Sequence, residues 1–341
     1  MSLDLPLIWA GVIAGAVFLY VLLDGFDLGV GILFPFARSS AERDTMMAAI
    51  APYWDGNETW LVLGGGGLFA AFPGAYAALM PALYLPVVLM LLGLILRGVA
   101  FEFRARGRQR GKALWTFSFA LGSVTAAAAQ GLALGGFIQG QTLANGLFVG
   151  GPLDWASPYA LLAALGLVAG YALLGAGWLM IKTKDNLHGD ARRWARNAAI
   201  LVTVLLAAVS AATLFAHPLI AARWGWTGSG FDLMRLGRLA PIPILGAVGL
   251  GIVAAGLVRK SHVWPFMGAI AVFVSGYLGL AASFFPYVAP YDLTFRDAAN
   301  DPGALGLLTG GLAIILPFIL GYTAWVYWVF RGKVVDDEGY H

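Results

Sequence analysis

Two acidic pairs and one arginine stand out in a chain that carries few charges. Asp55 and Glu58 lie in Trp54-Asp55-Gly56-Asn57-Glu58-Thr59-Trp60, where a polar loop turns into an apolar helix. Asp24 and Asp27 interrupt an earlier apolar run, in Asp24-Gly25-Phe26-Asp27-Leu28-Gly29-Val30-Gly31, and Arg97 interrupts a third, with Glu102 about a turn further on. Each charge placed in a membrane span costs about 2.5–3.5 kcal/mol on insertion scales, so each requires a reason. An acidic cluster with a single guanidinium and apolar walls is what a proton entry route requires. Low dielectric favours the neutral carboxyl, while the guanidinium keeps a neighbouring carboxylate ionised as an acceptor.

The elements that position these residues follow from composition. Of 341 residues, 60% are hydrophobic and 11% charged, with a mean hydropathy of +0.79. No soluble core of this size hides so much apolar surface. The apolar runs are too long and too rich in Leu, Ala and Gly for alternating barrel strands. The expected class is therefore an all-α polytopic membrane protein, with residues 1–341 forming a single helical domain. Breaks at polar and Pro/Gly-rich points predict about nine spans. These are Leu7 to Phe36, Trp60 to Met80, Ala82 to Phe101, Ala113 to Phe137, Pro158 to Ile181, Trp194 to Ala216, Leu239 to Val258, Val263 to Phe284 and Leu305 to Phe330. The first run lacks the basic flank of a signal peptide and extends past the length of its apolar region, so it reads as a retained span.

Lys and Arg set the orientation. With the N-terminus outside and the C-terminus cytoplasmic, the inner loops hold Arg38 and Arg43; Arg104, Arg106, Arg108, Arg110 and Lys112; Lys182, Lys184, Arg192, Arg193 and Arg196; Arg259 and Lys260; Arg331 and Lys333. The outer loops hold Arg223, Arg235, Arg238 and Arg296, which leaves Arg97 as the one basic residue inside a span. Under that topology Asp24, Asp27, Asp55, Glu58, Arg97 and Glu102 fall in the cytoplasmic third of the membrane or at its edge, as one cluster drawn from three consecutive spans. The outer Trp155, Trp224 and Trp226 suit an interfacial belt. The net charge of +3 is spread over short loops and gives no sign of a nucleic-acid partner.

Structural roles compete with the proton route at each position. Asp55 with Glu58 three residues later has the spacing of a capping box at the start of the second span. Asp24 and Asp27 share a helix face, where they either cap a loosened backbone near three glycines or pair with Arg97. Arg97 itself reads more simply as a counter-ion than as a ligand-binding group. Gly64 to Gly67 allow close helix contact; no Lys-Ser/Thr follows them to hold a phosphate. The chain has no Cys, which removes disulfides, cysteine-ligated clusters and thiolate haem ligation. Of its four His, His188, His262 and His341 fall in cytoplasmic loops or the tail, and His217 sits beside Pro218 at the outer end of the sixth span, so no metal ligand set is expected. Gln130, Gln139 and Gln141, with Phe284-Phe285-Pro286-Tyr287 and Asp292, Asp297 and Asp301, read as outer loop and interface residues. The tail with Asp336, Asp337 and Glu338 reads as a short solvated end.

Four ordered motifs carry a resemblance. Asp24 to Gly31, Trp54 to Trp60, Leu68-Phe-Ala-Ala-Phe-Pro-Gly-Ala-Tyr76 and Arg97-Gly-Val-Ala-Phe-Glu-Phe-Arg104 together resemble subunit II of cytochrome bd-type quinol oxidases, and Leu320-Gly-Tyr-Thr-Ala-Trp-Val-Tyr-Trp328 is similar to that family's last span. The resemblance implies a nine-span, haem-free subunit of the bacterial inner membrane. Its partner, subunit I, holds haem b and haem d and oxidises quinol while reducing O2 to water with cytoplasmic protons. It also places Asp55 on a proton route that crosses the subunit boundary, and Trp60 at the start of an apolar passage for oxygen. It leaves room for a small accessory subunit and for a structural quinone or membrane lipid. Glu58 and the glycine run resemble the branch called cyanide-insensitive. The chain is short for the family, with compact outer loops. The competing function is a proton-coupled secondary transporter, for which intramembrane acids and one arginine are equally natural; such proteins commonly show duplicated halves with helices interrupted at the midplane.

Overall fold

The computed structural model describes residues 3–106 and 109–334. Arg108, His341, Asp336, Asp337 and Glu338 lie outside the described residues. Thirteen helices occur among the described residues, in the order α1 (Leu5–Leu33), α2 (Ser40–Ala48), α3 (Trp54–Ala71), α4 (Pro73–Ala82), α5 (Tyr84–Arg106), α6 (Gln109–Gln139), α7 (Pro158–Lys182), α8 (Asp185–Ala216), α9 (Pro218–Arg223), α10 (Leu233–Leu239), α11 (Pro241–Val258), α12 (Trp264–Phe284) and α13 (Pro302–Val329). Two short antiparallel pairs, Leu143–Ala144 with Leu147–Phe148 and Tyr287–Ala289 with Leu293–Thr294, tighten the loops after α6 and α12. Among the described residues eight helices are long and apolar enough to cross a membrane, and α3 with α4 form a bent pair that makes nine when counted as one broken span. The fold is all-α and polytopic.

The long helices start where the sequence provides caps. Asp4 accepts from the Leu7 N–H at the head of α1, Ser157 from Ala160 before α7, and Asp301 from Gly303 and Ala304 before α13, each with Pro in the first turn. The second span departs from its expected straight course to Met80. Pro73 has no N–H to continue the ladder and biases Phe72 away from helical geometry. The axis turns by 120° between α3 and α4. Asn300 takes up the carbonyls left at the break, its N–H bonding Ala71 O at 2.9 Å and its Nδ2 bonding Ala70 O at 3.0 Å.

At the centre of the bundle, α1 packs against α3, α6, α7, α12 and α13. Small residues set the closest approaches, as membrane helix pairs require. Gly29 of α1 faces Gly175 and the Tyr171 carbonyl of α7, Gly93 of α5 faces Gly122 of α6, and Gly249 of α11 faces Gly268 of α12.

The basic loops meet at one end. Arg38 pairs with Asp190 at 2.6 Å, Arg104 with Asp44 at 2.5 Å, and the His188 and His262 rings lie 4.5 Å apart. Two of the basic residues expected in loops are instead buried there. Arg104 bonds Thr116 at 3.0 Å and lies over the Phe34 ring. The Lys182 ammonium donates to the Tyr53 hydroxyl at 2.8 Å, to Phe330 O and to Gly332 O, above the Tyr53 and Trp178 rings. Lys333 donates back to Thr183 O at 2.7 Å, and the Val334 N–H to Lys182 O. Lys182 thus acts as a cationic cap on the carbonyl end of α13. Replacing it with methionine keeps the stem and removes the donors. Lys182→Met is expected to lower the stability of the α13 end by about 1–3 kcal/mol and to raise hydrogen exchange at residues 326–334, with the cores of α1 and α7 unchanged.

Candidate functional site

The first turns of α3 bring the two acidic motifs together. Helix α3 begins at Trp54 with Tyr53 as its N-cap residue, and no side chain closes the cap. The capping box expected of Asp55 and Glu58 is therefore not formed, because the helix starts one residue before Asp55. Asp55 sits instead in the first turn, where a carboxylate suits the positive end of the helix. Glu58, one turn on, points to α5, where its Oε2 accepts from Arg97 Nη2 at 2.9 Å. Arg97 Nη1 donates to Asp24 Oδ1 of α1 at 2.5 Å. One planar guanidinium so joins three helices, with the Trp54 ring centroid 6.0 Å from its Cζ.

Exposure falls steadily along this path. Asp55 is exposed, the Glu58 side chain is 30% accessible, and those of Arg97 and Asp24 are 2% and 0% accessible. Asp27, also fully buried, branches from it. Its Oδ2 accepts from Asn57 Nδ2 at 2.7 Å, and the same amide nitrogen reaches Leu23 O at 3.2 Å. Asn57 Oδ1 accepts from the Tyr327 hydroxyl of α13 at 2.9 Å. Asn57 is thus held at both ends and ties α3 to α1 and α13. Asp24 Oδ2, Asp27 Oδ1 and Arg97 Nε make no hydrogen bond within the chain, a costly state for buried polar atoms that is seldom kept for stability alone. Glu102 is exposed on α5, on a different face from buried Arg97.

Trp60 is buried among Ala16, Tyr20 and Leu61 with Leu316 and Ile319 of α13, its indole N–H without a hydrogen-bond partner. Its surroundings are apolar, at the seam of α1, α3 and α13.

Sequence reasoning placed Gln130 at the outer edge, whereas the structure puts it in the core. Gln130 Nε2 donates to the Tyr20 hydroxyl at 2.7 Å and its Oε1 accepts from the Tyr171 hydroxyl at 2.6 Å. Tyr20, Tyr171 and Tyr327 near the acids are not expected from the sequence; a polar residue within an apolar run is their one available signal. Gln139, the last residue of α6, accepts from the Ser157 hydroxyl, and Gln141 in the loop after it donates to Gly136 O.

The histidines are engaged elsewhere. His217 Nδ1 accepts from the Leu219 N–H at the head of α9 and its ring stacks on Tyr291 at 3.6 Å; burial lowers its affinity for a proton below the ordinary histidine value. His188 Nδ1 is bonded to Met180 O. Neither projects into a pocket between helices as an axial haem ligand must. Among the described residues no group of three or more His, Asp or Glu is arranged to hold a metal ion.

These features define a multi-pass helical membrane protein built around a buried acid–guanidinium group. The chain belongs to the family described as cytochrome bd terminal oxidase subunit II, whose model matches residues 5–330. It is 29% identical over 354 residues to cytochrome bd-I ubiquinol oxidase subunit 2 of Escherichia coli strain K12, covering 94% of this chain and 92% of the relative. It is 28% identical over 332 residues to cytochrome bd ubiquinol oxidase subunit 2 of Bacillus subtilis strain 168, covering 94% of each. Its fold resembles a chain of the bd oxidase from Geobacillus thermodenitrificans, with a TM-score of 0.77 and 19% identity over 97% of this chain and 100% of that one. The chain is thus a subunit of an oxidoreductase complex, a terminal oxidase.

Proposed function

We propose that this chain is the haem-free subunit of a quinol:oxygen oxidoreductase in the bacterial cytoplasmic membrane, and that it carries protons from the cytoplasmic face towards a haem-bearing subunit I. The observation that carries the proton role is the graded path from exposed Asp55 through half-buried Glu58 to buried Arg97 and Asp24. Asp24, Asp27 and Glu58 set three carboxyls against one guanidinium, an excess of two that a low-dielectric interior accommodates by holding protons. Asp55 receives a proton from water, Glu58 takes it up beside Arg97, and Asp24, on the other side of the same guanidinium, continues the path inward. Glu102, exposed on α5, adds to the negative field that gathers protons at the entrance.

The partner's place follows from the same residues. Asp55, Glu58 and Thr59 lie on a face of α3 that looks out of the chain, and carboxylates at that depth do not face lipid. Subunit I covers this face and receives the proton there, with Trp60 lining an apolar route for O2 at the same seam. Haem b and haem d belong to subunit I, a reading supported by the engagement of His188 and His217 with other partners. Both relatives above are named as ubiquinol oxidase subunits, which supports a quinol as the electron donor. The gathering of Arg38, Arg104, Lys182 and His262 at one end supports a cytoplasmic placement of that end and an outer N-terminus.

A transporter fits less well. The one bent span breaks at Phe72, about 21 Å along the axis from Glu58 at 1.5 Å per residue, and so the interruption does not meet the charges.

Asp55→Asn tests the proton role. It is expected to slow quinol-driven O2 uptake by the assembled complex about tenfold or more, in the range assigned to loss of a positioned proton-transfer group, while the haem spectrum stays intact. Wild-type turnover in that complex would sink the role; loss of the haem spectrum would assign Asp55 to folding.

A further inference from the structure

We infer that the seam between α8 and α11, at the basic end of the bundle, holds the phosphate head of an anionic phospholipid, with Arg196, Arg259 and Lys260 as its donors.

The seam gathers cations without gathering acids. His188, Arg192 and Arg196 recur every four residues and so form one stripe of α8, which packs against α11. Arg192 Nη2 donates to Leu257 O in the last turn of α11, and the His188 and His262 rings lie 4.5 Å apart. These two contacts bring Arg259 and Lys260, which lie between Leu257 and His262, to the same stripe. Other surface cations are given carboxylates: Arg38 and Arg193 share Asp190, Lys112 has Asp44, Arg235 has Asp232 and Arg296 has Asp4. Asp190 is two residues from His188 and so lies on the opposite side of α8. Among the described residues no carboxylate pairs with Arg192, Arg196, Arg259 or Lys260. The excess of cations in cytoplasmic loops explains why basic residues collect at one end; it does not by itself leave four of them in one place without an acid.

Their depth is that of lipid phosphates. The stretch of α8 from Asn197 to Ala216 carries no charge and rises about 30 Å at 1.5 Å per residue, the thickness of the hydrocarbon core. Arg196 therefore stands where that core ends. Helix α11 is also without charge, and Arg259 follows its last residue directly. The Arg259 guanidinium carbon lies 5.2 Å from the centroid of the exposed Trp264 ring, an aromatic of the kind that marks the headgroup level. Further into the membrane, Ile200 and Val204 of α8 and Val248 of α11 are exposed, and a Cβ on Gly251 would meet nothing within 4 Å. Cations and then open apolar surface occur in the order in which a phospholipid presents its phosphate and its acyl chains. That order favours a lipid over a free anion.

Lys260 adds an independent sign. It follows the C-cap residue of α11 with a φ of +58°, and the next N–H, of Ser261, closes on Gly256 O. Glycine is the usual residue at this left-handed position because a β-carbon is penalised there. A lysine in a place that suits glycine points to a use for its charge.

The test uses the purified, assembled complex in neutral detergent micelles, titrated with phosphatidylglycerol or with phosphatidylcholine. Native mass spectrometry counts the lipid retained by this chain, and loss of haem absorbance on heating gives the thermal midpoint of the complex. Phosphatidylglycerol is expected to bind saturably and to raise the wild-type midpoint, where phosphatidylcholine does neither. Arg196→Gln and Lys260→Gly should each raise the half-saturating phosphatidylglycerol fraction about fivefold, the share of one cation at a membrane surface, and together about 25-fold. Glycine suits the backbone at residue 260, so the lipid-free midpoint of Lys260→Gly should hold or rise, and its weaker lipid response is then not a loss of folding. Arg238→Gln removes an exposed charge before α11, at the opposite end of that helix, and should titrate as wild type. Unchanged half-saturation in both Arg196→Gln and Lys260→Gly would overturn the assignment. So would equal protection by inorganic phosphate without lipid, which would make the seam a free-anion site. Loss of a protein component from the variant complexes, with the lipid response intact, would overturn it in favour of a protein interface.

Discussion

A complex carrying Arg97→Leu is expected to fall below a tenth of the wild-type level in membranes, measured by its haem absorbance. The guanidinium is fully buried and bonds two carboxylates on two other helices, Asp24 at 2.5 Å and Glu58 at 2.9 Å. Removing one partner of a buried ion pair costs about 3–5 kcal/mol because the other charge is left without compensation. Here two acids lose their counter-ion together, and Asp27 stands three residues from one of them. Arg97→Lys keeps the charge, but a single ammonium cannot span two carboxylates with the fixed fork of a guanidinium, so an intermediate level is expected. The triple variant Arg97→Leu, Asp24→Asn, Glu58→Gln removes the uncompensated charge and should recover assembly without recovering quinol-driven O2 uptake. Normal assembly and turnover in Arg97→Leu alone would show that the ion pair serves neither purpose.

The charged part of this cluster is legible in the sequence because Asp24, Asp27 and Arg97 break apolar runs and Glu58 stands where another begins. Asp24, Asp27, Glu58 and Arg97 are four charges in spans that otherwise have almost none, and the alternation of span direction was enough to bring them to one depth. The uncharged part was not legible. Tyr20, Asn57, Gln130, Tyr171 and Tyr327 are tolerated in many membrane helices, and their partners lie 30 to 270 residues away in sequence. Asn57 was visible inside the acidic motif, yet nothing local says that it would be gripped by α13. Its position near a span end points Gln130 to the outer edge, but Gly131-Leu132-Ala133-Leu134 continue the helix after it, and α6 runs on to Gln139.

Local rules also misled where tertiary contacts outbid them. The Asp55 and Glu58 spacing matches a capping box, but α3 starts one residue before Asp55, and Glu58 bonds Arg97 instead. Pro73 marks the break in the sequence, yet the apolar run continues past it to Met80 and by length alone reads as one span. Nothing near Phe72 reveals that Asn300, from the far end of the chain, satisfies the carbonyls the break releases. Charge and position place Arg104 and Lys182 in solvated loops, whereas each is folded back onto aromatic rings and carbonyl or carboxylate oxygens at the edge of the bundle. Long basic side chains can bury their stems and heads in this way when the acceptors are supplied.

Gly29→Ala is expected to disrupt the protein nearly as severely as loss of Arg97. A Cβ at residue 29 would lie 1.9 Å from the Tyr171 carbonyl oxygen, 2.7 Å from its carbon and 2.8 Å from the Gly175 nitrogen. All three are backbone atoms of a buried helix, so relief requires α1 and α7 to separate rather than a side chain to turn. Overpacking in a well-filled interior costs about 1–3 kcal/mol even where side chains can adjust, and here they cannot. The consequence reaches the site because the same contact sets the height of α7 against α1. Asp27 lies two residues before Gly29, and the Tyr171 hydroxyl that holds Gln130 belongs to the residue whose carbonyl would be displaced. Gly11→Ala provides the comparison: no atom lies within 4 Å of its added methyl, and glycine to alanine inside a helix is worth about 0.5–1 kcal/mol of stability. The thermal midpoint of the purified complex, followed by loss of haem absorbance, should therefore drop sharply for Gly29→Ala and hold or rise for Gly11→Ala. Equal midpoints for the two variants would mean that α1 and α7 are not locked at this turn, and the placement of Tyr171 against the acid cluster would lose its mechanical basis.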